Sequence, residues 1–431
     1  MILFAAIVIA IFALLGAPLF AVVLAAAMLG FYAVEIDLAV VAIELYRLSD
    51  TPLLVALPLF TFSGYILSES NTSKRLVDLM QALVGWMPSG LALVGFVACA
   101  VFTALTGASG VTIVALGALL FPALVKSGYS ERFSLGSVTA SGSLGLLLVP
   151  SVPLILYGIV AQQLDVGESF TIQDLFVAGV LPALLMIVLL TLYSLWLHRG
   201  GVIPRVPFSW GALGRALWAA RWELPLPVFV LGGIYGGFFA ISEAAAMTAV
   251  YVMIAEMLLY REISFRRLPG VMVESMIMVG GILLILGAAL AFTNYLVYEE
   301  IPQSLFEYTK ARIESPITFL ILLNIMLLVL GAVLDIFSAL VIIVPLVLPL
   351  AVGYGIHPVH LGIIFLANMQ IGYFTPPIGM NLFIASYRFK KPVLELYAAC
   401  LPFMLVLLVA LMIITYVPAL SMGPVEWLNS Q

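Results

Sequence analysis

The residues of this sequence that could do chemistry are small and hydroxyl-bearing residues at breaks inside apolar segments. Thr106 and Ser109 stand three residues apart in the run TGASG at 106–110, and the run from Gly142 to Ser151 contains two glycines and a proline. A bare monovalent cation needs about five or six oxygen ligands, which membrane proteins supply from carbonyls and hydroxyls at broken helices. We therefore predict a first cation site with the ligands Thr106, Ser109, Gly145, Leu148 and Pro150.

A matching set of residues recurs 227 positions later. Pro122 recurs as Pro349, Gly128 as Gly355, Ala140 as Ala367, Gly145 as Gly372 and Pro150 as Pro377. Paired interruptions in two halves of an apolar chain indicate the binding site of a secondary transporter, because unwound backbone exposes carbonyls and helix ends to a solute. We predict a second cation site at Gly331, Gly372, Thr375 and Ile378, with Asp335 as an additional ligand or as a helix cap. The plainer alternative is that small residues at the first tip only allow close helix packing.

Polar side chains near the breaks are candidates for contacting a solute. No Lys or Arg stands near the middle of these segments, so a carboxylate would be held by helix N termini, hydroxyls and bound cations. Gly107 to Gly110 also fit the G-x-S-G pattern of rhomboid-type serine proteases, but none of the three histidines lies at the required depth, so we expect no enzyme activity and no catalytic residue. The solute candidates are Ser141, Ser143, Ser151, Asn324, Asn368, Gln370 and Asn381.

The elements that must position these residues are membrane helices. Apolar residues make up 64% of the 431, charged residues 9%, and the mean hydropathy is +1.23, which excludes a water-soluble domain and predicts a lipid bilayer as the surroundings. Two apolar stretches, 89–127 and 316–353, are split near the middle and are predicted to be re-entrant helical hairpins. Crossings of about 20 residues are expected at 3–29, 51–68, 132–161, 175–198, 222–240, 243–260, 271–298, 358–387 and 394–417.

The basic residues support this threading. From a cytoplasmic N terminus, 14 of the 17 lysines and arginines fall on one face and only Arg47, Lys310 and Arg312 on the other, as the positive-inside bias requires. An odd number of crossings separates the hairpins, so the halves are inverted. We predict an all-α polytopic membrane protein with a first inverted repeat at 1–198 (hairpin 89–127, broken helix 132–161), a cytoplasmic linker at 199–221, and a second inverted repeat at 222–431 (hairpin 316–353, broken helix 358–387).

Five longer motifs make the chain similar to the large membrane (M) subunit of tripartite ATP-independent periplasmic (TRAP) transporters. They are PLFTFSG at 58–64, TGASG at 106–110, GSLGLLLVPSVPLILYG at 142–158, GGIYGGFFAISEAAA at 232–246 and LGIIFLANMQIGYFTPPIGMNLF at 361–383. Ala108 and the single Pro150 depart from the Ser-rich first tip and the double proline that are usual in this family. The resemblance covers nearly the whole chain.

The resemblance implies an elevator-type, ion-transporter-like importer in the bacterial inner membrane, driven by sodium ions. The two cation sites would then be the two sodium sites, with no other metal and no cofactor. The implied partners are a small four-span membrane (Q) subunit and a periplasmic substrate-binding (P) protein, with no nucleic acid. The implied substrate is a small organic acid, such as a C4-dicarboxylate, a sialic acid, another sugar acid or a sulfonate. The alternative is a stand-alone sodium/anion symporter of related fold.

Overall fold

The fold is entirely helical across residues 2–199 and 207–430, the part of the chain that this computed structural model describes. Eight helices there are long and apolar enough to cross a membrane, or nine if a bent pair counts as one span. The helices are α1 (Ile2–Leu14), α2 (Leu19–Ala33), α3 (Ala39–Arg47), α4 (Ala56–Glu69), α5 (Thr72–Val84), α6 (Gly90–Thr106), α7 (Ser109–Lys126), α8 (Glu131–Ser141), α9 (Val152–Gln163), α10 (Ile172–Ala178), α11 (Val180–Leu197), α12 (Trp210–Ala219), α13 (Pro225–Tyr235), α14 (Ile241–Met253), α15 (Leu268–Tyr298), α16 (Ile301–Lys310), α17 (Pro316–Val333), α18 (Ile336–Gly353), α19 (Pro358–Gly372), α20 (Met380–Phe389), α21 (Val393–Tyr416) and α22 (Ala419–Asn429).

The N-terminal apolar segment forms two helices instead of the single crossing expected at 3–29. Gly16 adopts a φ of +87° between α1 and α2, and Pro18 precedes α2. Glycine reaches this left-handed conformation at little cost, and proline lacks the amide that would continue the first helix. Ile2 and Leu3 line the same cavity as residues 32–38, so α1 folds back along α2. The prediction of a cytoplasmic N terminus assumed a single crossing in this segment, and it stays a prediction.

The first hairpin consists of α6 and α7. The hydroxyls of Thr103 and Thr112 lie 2.7 Å apart, and Gly95 faces the side chain of Leu120. Both pairs are nearly symmetric about Gly107, which turns the chain with a φ of +68°. The two helices are therefore antiparallel, as the sequence predicted for 89–127.

The second hairpin consists of α17 and α18, which diverge from their shared tip and are joined again at their far ends. The rings of Phe319 and Tyr354 stack there with their centroids 4.4 Å apart. The Tyr354 hydroxyl also donates a hydrogen bond of 2.6 Å to the carbonyl of Ile313, just before α17. The start of α17 and the end of α18 thus lie at one end, as expected for a hairpin at 316–353.

A break follows each hairpin. α8 and α9 are bent by 44°, with a short 3-10 turn at Leu144–Leu147 between them, and α19 is separated from α20 by the run that contains Pro376 and Pro377. The helix bounds repeat with the sequence spacing, since α18 begins and ends 227 residues after α7. The packing is reciprocal as well. α9 lies against α18, and α20 lies against α7.

The hairpins and broken helices are flanked by a second group of helices. In it α15 packs against α2, α3 and α4, and α4 packs against α14. The helix α5 joins α4 to the first hairpin, and α16 joins α15 to the second. From the linker predicted at 199–221, residues 200–206 lie outside the described residues, and α12 packs on α5 through Leu79, Leu213 and Ala220.

A buried ionic cluster fixes α5 to the flanking helices. Arg75 on α5 reaches Glu262 at 2.6 Å and Glu256 at 3.1 Å, and it also pairs with Glu223. The ring of Tyr260 lies 3.9 Å from the guanidinium carbon. Three carboxylates from other parts of the chain therefore converge on one arginine.

Candidate functional site

Both hairpin tips and both breaks meet around one cavity of about 150 Å³, which we call the central cavity. Its walls are backbone and small side chains of the first tip, apolar side chains of the second tip and the breaks, and one methionine of α15. The lining residues are 107–111, Leu146, Met278, Ile336, Phe337, Tyr373, Met380 and Ile384. The two breaks that the sequence paired thus line one cavity together with both hairpin tips.

The first tip presents an open helix N terminus to this cavity. The cap residue of α7 is Ala108, which has no side-chain acceptor. Among the described residues nothing accepts from the first three amides of α7, at residues 109–111. Free amides at a helix start attract anions, because the helix dipole adds to their hydrogen-bonding capacity. The Ser109 hydroxyl donates to Asn381 Oδ1 at 2.8 Å, which ties this tip to the second break.

The second tip is closed. Asp335 Oδ1 accepts from the amides of Phe337 and Ser338, each at 3.0 Å, and Oδ2 accepts from the Ser338 hydroxyl. The amide of Ile336 donates to the Tyr373 hydroxyl at 2.7 Å. The sequence left Asp335 as a ligand or a cap; the structure shows that it caps α18, and its role as a cation ligand stays a prediction. Of the helix N termini that could hold a carboxylate, the one at the first tip therefore has unpaired amides, and the one at the second tip has its first three amides bonded.

The residues predicted for the first cation site lie where the first break packs on the first hairpin. The Thr106 hydroxyl donates back to the carbonyl of Phe102 at 2.9 Å. Gly145 lies so close to α6 that an added Cβ would be 2.1 Å from the carbonyl oxygen of Ala100. The amide of Leu148 donates to the Gly145 carbonyl at 3.0 Å, and Pro150 follows in the same break. Their role as cation ligands stays a prediction.

The residues predicted for the second cation site lie where the second break packs on the second hairpin. Gly331 and Gly372 meet backbone to backbone, since a Cβ on Gly372 would lie 2.6 Å from Gly331 Cα. The Thr375 hydroxyl donates to the carbonyl of Ile371 at 2.8 Å, and Ile378 is 45% exposed. A side chain on Gly372 would therefore push the two backbones apart, whereas a Cβ on Gly331 would lie 3.2 Å from Gly372 Cα, a tight contact. The cation role of this set also stays a prediction.

Several of the solute candidates are engaged in buried contacts away from the central cavity. Asn368 Nδ2 donates to Asn324 Oδ1 at 2.6 Å, and Asn324 bonds in turn to Thr415, which links α17, α19 and α21. The hydroxyls of Ser141 and Ser151 donate to carbonyls of their own segments, at 3.3 and 2.7 Å. None of these four candidates lines the central cavity.

The remaining candidates lie between the two halves. The Ser143 hydroxyl donates to the Gln370 carbonyl at 3.0 Å, a contact between positions 227 residues apart. Asn381 borders the central cavity through its bond to Ser109, and its buried Nδ2 has no partner among the described residues. Sequence reasoning did not single out Tyr373, although its place directly after Gly372 in the break was a usable signal.

The two broken helices differ in cover. α9 is buried along Val152–Ala161, whereas α20, its counterpart in the second half, exposes Phe383 and Tyr387, the latter to 91%. The second segments of the two broken helices, α9 and α20, are therefore covered to different extents by the rest of the protein in this conformation.

Comparison with known proteins agrees with this architecture. Residues 4–420 match the family described as the tripartite ATP-independent periplasmic transporter, DctM component. The chain is 37% identical to the C4-dicarboxylate TRAP transporter large permease protein DctM of Pseudomonas aeruginosa over 90% of each chain. It is 34% identical to the isethionate TRAP transporter permease protein DctMQ of Oleidesulfovibrio alaskensis over 86% of this chain and 57% of that protein.

A solved structure shares the fold. The YdaH transporter of Alcanivorax borkumensis superposes with a TM-score of 0.59 over 85% of this chain and 84% of its own, at 16% identity. The match to the family over nearly the whole chain, and the identity to its curated relatives, give one conclusion: this chain belongs to the DctM family of large membrane permeases of TRAP transporters and is a multi-pass membrane protein, not an enzyme.

Proposed function

We propose that this chain is the translocating subunit of a sodium-coupled importer that moves a small organic acid across the bacterial inner membrane. The observation that carries the proposal is the central cavity, which both hairpin tips and both breaks line and to which α7 presents unpaired amides. Relatives named for a C4-dicarboxylate and for isethionate support an acid as the cargo, and sialic acids and other sugar acids belong to the same class of candidates. The proposed partners are a small four-span membrane subunit and a periplasmic binding protein.

Sodium is proposed to bind at the two places where a break packs on its hairpin. At each of them backbone carbonyls of the break and side-chain hydroxyls are available as ligands. The described lining of the cavity contains no lysine or arginine. Thr106 and Ser109 would turn their hydroxyls from their present acceptors, Phe102 and Asn381, to the ion. The coupling follows because each ion would fix a tip and a break that also line the solute cavity.

Movement is proposed to be elevator-like, with the hairpins and broken helices sliding as a unit against α2, α4, α14 and α15. The unequal cover of α9 and α20 supports two alternating positions. If the hairpins and broken helices moved so that α20 became buried and α9 became exposed, these two helices would exchange their present environments.

Reconstituted vesicles test the proposed function. Vesicles that hold this chain and its small membrane subunit should take up organic acid only when the binding protein and an inward sodium gradient are both supplied. A potassium gradient of equal size is the control. Sodium-driven uptake of free solute without any binding protein would favour the stand-alone symporter. Equal uptake with and without a sodium gradient would contradict the coupling of transport to sodium.

The first sodium site has its own test. Thr106→Ala with Ser109→Ala removes two proposed ligands, each worth on the order of 1–2 kcal/mol, so the half-saturating sodium concentration should rise about 30-fold or more. Solute affinity at saturating sodium should change less. An unchanged sodium half-saturation would remove these hydroxyls from the site.

A further inference from the structure

The two hairpin tips are chemically unequal toward an anion. The first tip has free amides at residues 109–111, and the second has its first three amides occupied by Asp335 and by the Tyr373 hydroxyl. Asp335 also carries its own negative charge beside that tip. A second anionic group at the second tip would find no free amide on residues 336–338 and would be repelled by a carboxylate.

Tyr373 adds a free hydroxyl donor to the amide donors of the first tip. Its oxygen accepts from the amide of Ile336, and among the described residues nothing accepts its hydroxyl hydrogen. The residue is 2% exposed and lines the central cavity. The other hydroxyl in the lining, on Ser109, donates to Asn381 and is the one proposed to bind the first sodium ion. The Tyr373 hydroxyl hydrogen is therefore available to a solute oxygen in the cavity.

The rest of the described lining is apolar. Leu146, Met278, Phe337, Met380 and Ile384 contribute hydrocarbon or thioether surface, and the lining includes no lysine, arginine or histidine. Such walls favour an uncharged, apolar body, and they would leave the hydroxyls of a polyhydroxylated solute without partners.

We propose that the central cavity selects a solute with a single anionic group and an apolar body, a monocarboxylate or monosulfonate, and that Tyr373 and Asp335 set this preference. The free amides of α7 and the Tyr373 hydroxyl donate to the anionic group, and Asp335 excludes a second one. This selectivity rests on the proposed transport function and narrows its substrate class.

Binding of matched acids to the chain and its small subunit in lipid nanodiscs tests the proposal. Butanoate and butanedioate have the same carbon number and differ in the second carboxylate, so calorimetric titration in sodium chloride should show butanoate binding at least about 10-fold tighter. Tighter binding of butanedioate would overturn the selectivity and leave the transport function standing. Binding of neither acid, with organic acid uptake intact in the complete vesicle system, would do the same. Absence of uptake of any organic acid in that system would instead reject the transport function.

Two variants test the named residues. Tyr373→Phe should weaken butanoate binding about 10-fold, whereas Tyr354→Phe, which removes a hydroxyl at the far end of the second hairpin, should leave it unchanged. Asp335→Asn keeps an oxygen to cap α18 and removes the charge, so butanedioate binding should strengthen relative to butanoate. Equal effects of the two tyrosine variants, or an unchanged acid preference in Asp335→Asn, would overturn the roles of these residues. Melting temperatures near wild type confirm that each variant is folded.

Discussion

Replacing Arg75 by methionine should destabilise the protein strongly. The Arg75 side chain is 10% exposed, and its partners Glu223 and Glu256 are 3% and 0% exposed, so the substitution leaves buried carboxylates without a counter-charge. Removing one partner of a buried ion pair costs about 3–5 kcal/mol, because the remaining charge stays desolvated. For a chain of this length that loss lowers the melting temperature by about 5 °C.

Thermal unfolding of the purified protein in nanodiscs measures this effect. Arg267→Met is the matched control, because Arg267 is 61% exposed and its pair with Glu69 should contribute less than about 1 kcal/mol. Adding Glu223→Gln and Glu256→Gln to Arg75→Met should recover much of the loss, since the orphaned charges are then removed. Equal melting temperatures for Arg75→Met and Arg267→Met would refute the reasoning.

Two further predictions concern the hairpins. Cysteines introduced at Pro88 and Lys126, exposed residues at the two ends of the first hairpin, should both react with a membrane-impermeant reagent from the cytoplasmic side alone, and labelling of either from outside would contradict the re-entrant arrangement. Gly372→Ala should destabilise the protein by about 1–3 kcal/mol, because the new methyl group would lie 2.6 Å from the backbone of Gly331. Gly280→Ala, with nothing within 4 Å of the added atom, should be neutral or stabilising in the same melting experiment, and similar losses in both variants would show that the backbone contact is not the cause.

The hairpins and breaks could be predicted because local chemistry determines them. Gly107 turns the first tip with a positive φ, which glycine adopts at little cost. The prolines of each break remove amides that a continuous helix needs. Each feature can therefore be recognised from a short stretch of sequence. The spacing of 227 residues then related the two halves without any knowledge of their contacts.

The chemistry at the site was harder to predict because it depends on tertiary contacts. Asp335 could cap a helix or bind a cation on sequence grounds, and its capping bonds became visible only from the positions of the Phe337 and Ser338 amides. The convergence of three glutamates on Arg75 joins residues far apart in the chain, which no local pattern reveals. At the N terminus, Gly16 and Pro18 were a local signal, but the continuous apolar composition concealed it.

The hydrogen bond from Ser143 to the Gln370 carbonyl joins two positions that the 227-residue spacing pairs. Positions that a two-fold rotation pairs touch each other only at its axis, so a contact of this kind marks the place where such an axis would pass. In a pair of separate, identical chains, each with one copy, this position would meet itself, as in any isologous dimer interface. A single substitution there would change both sides of the contact at once. In a single polypeptide the two positions vary independently, and here one side offers a hydroxyl donor while the other offers a backbone acceptor and a different side chain.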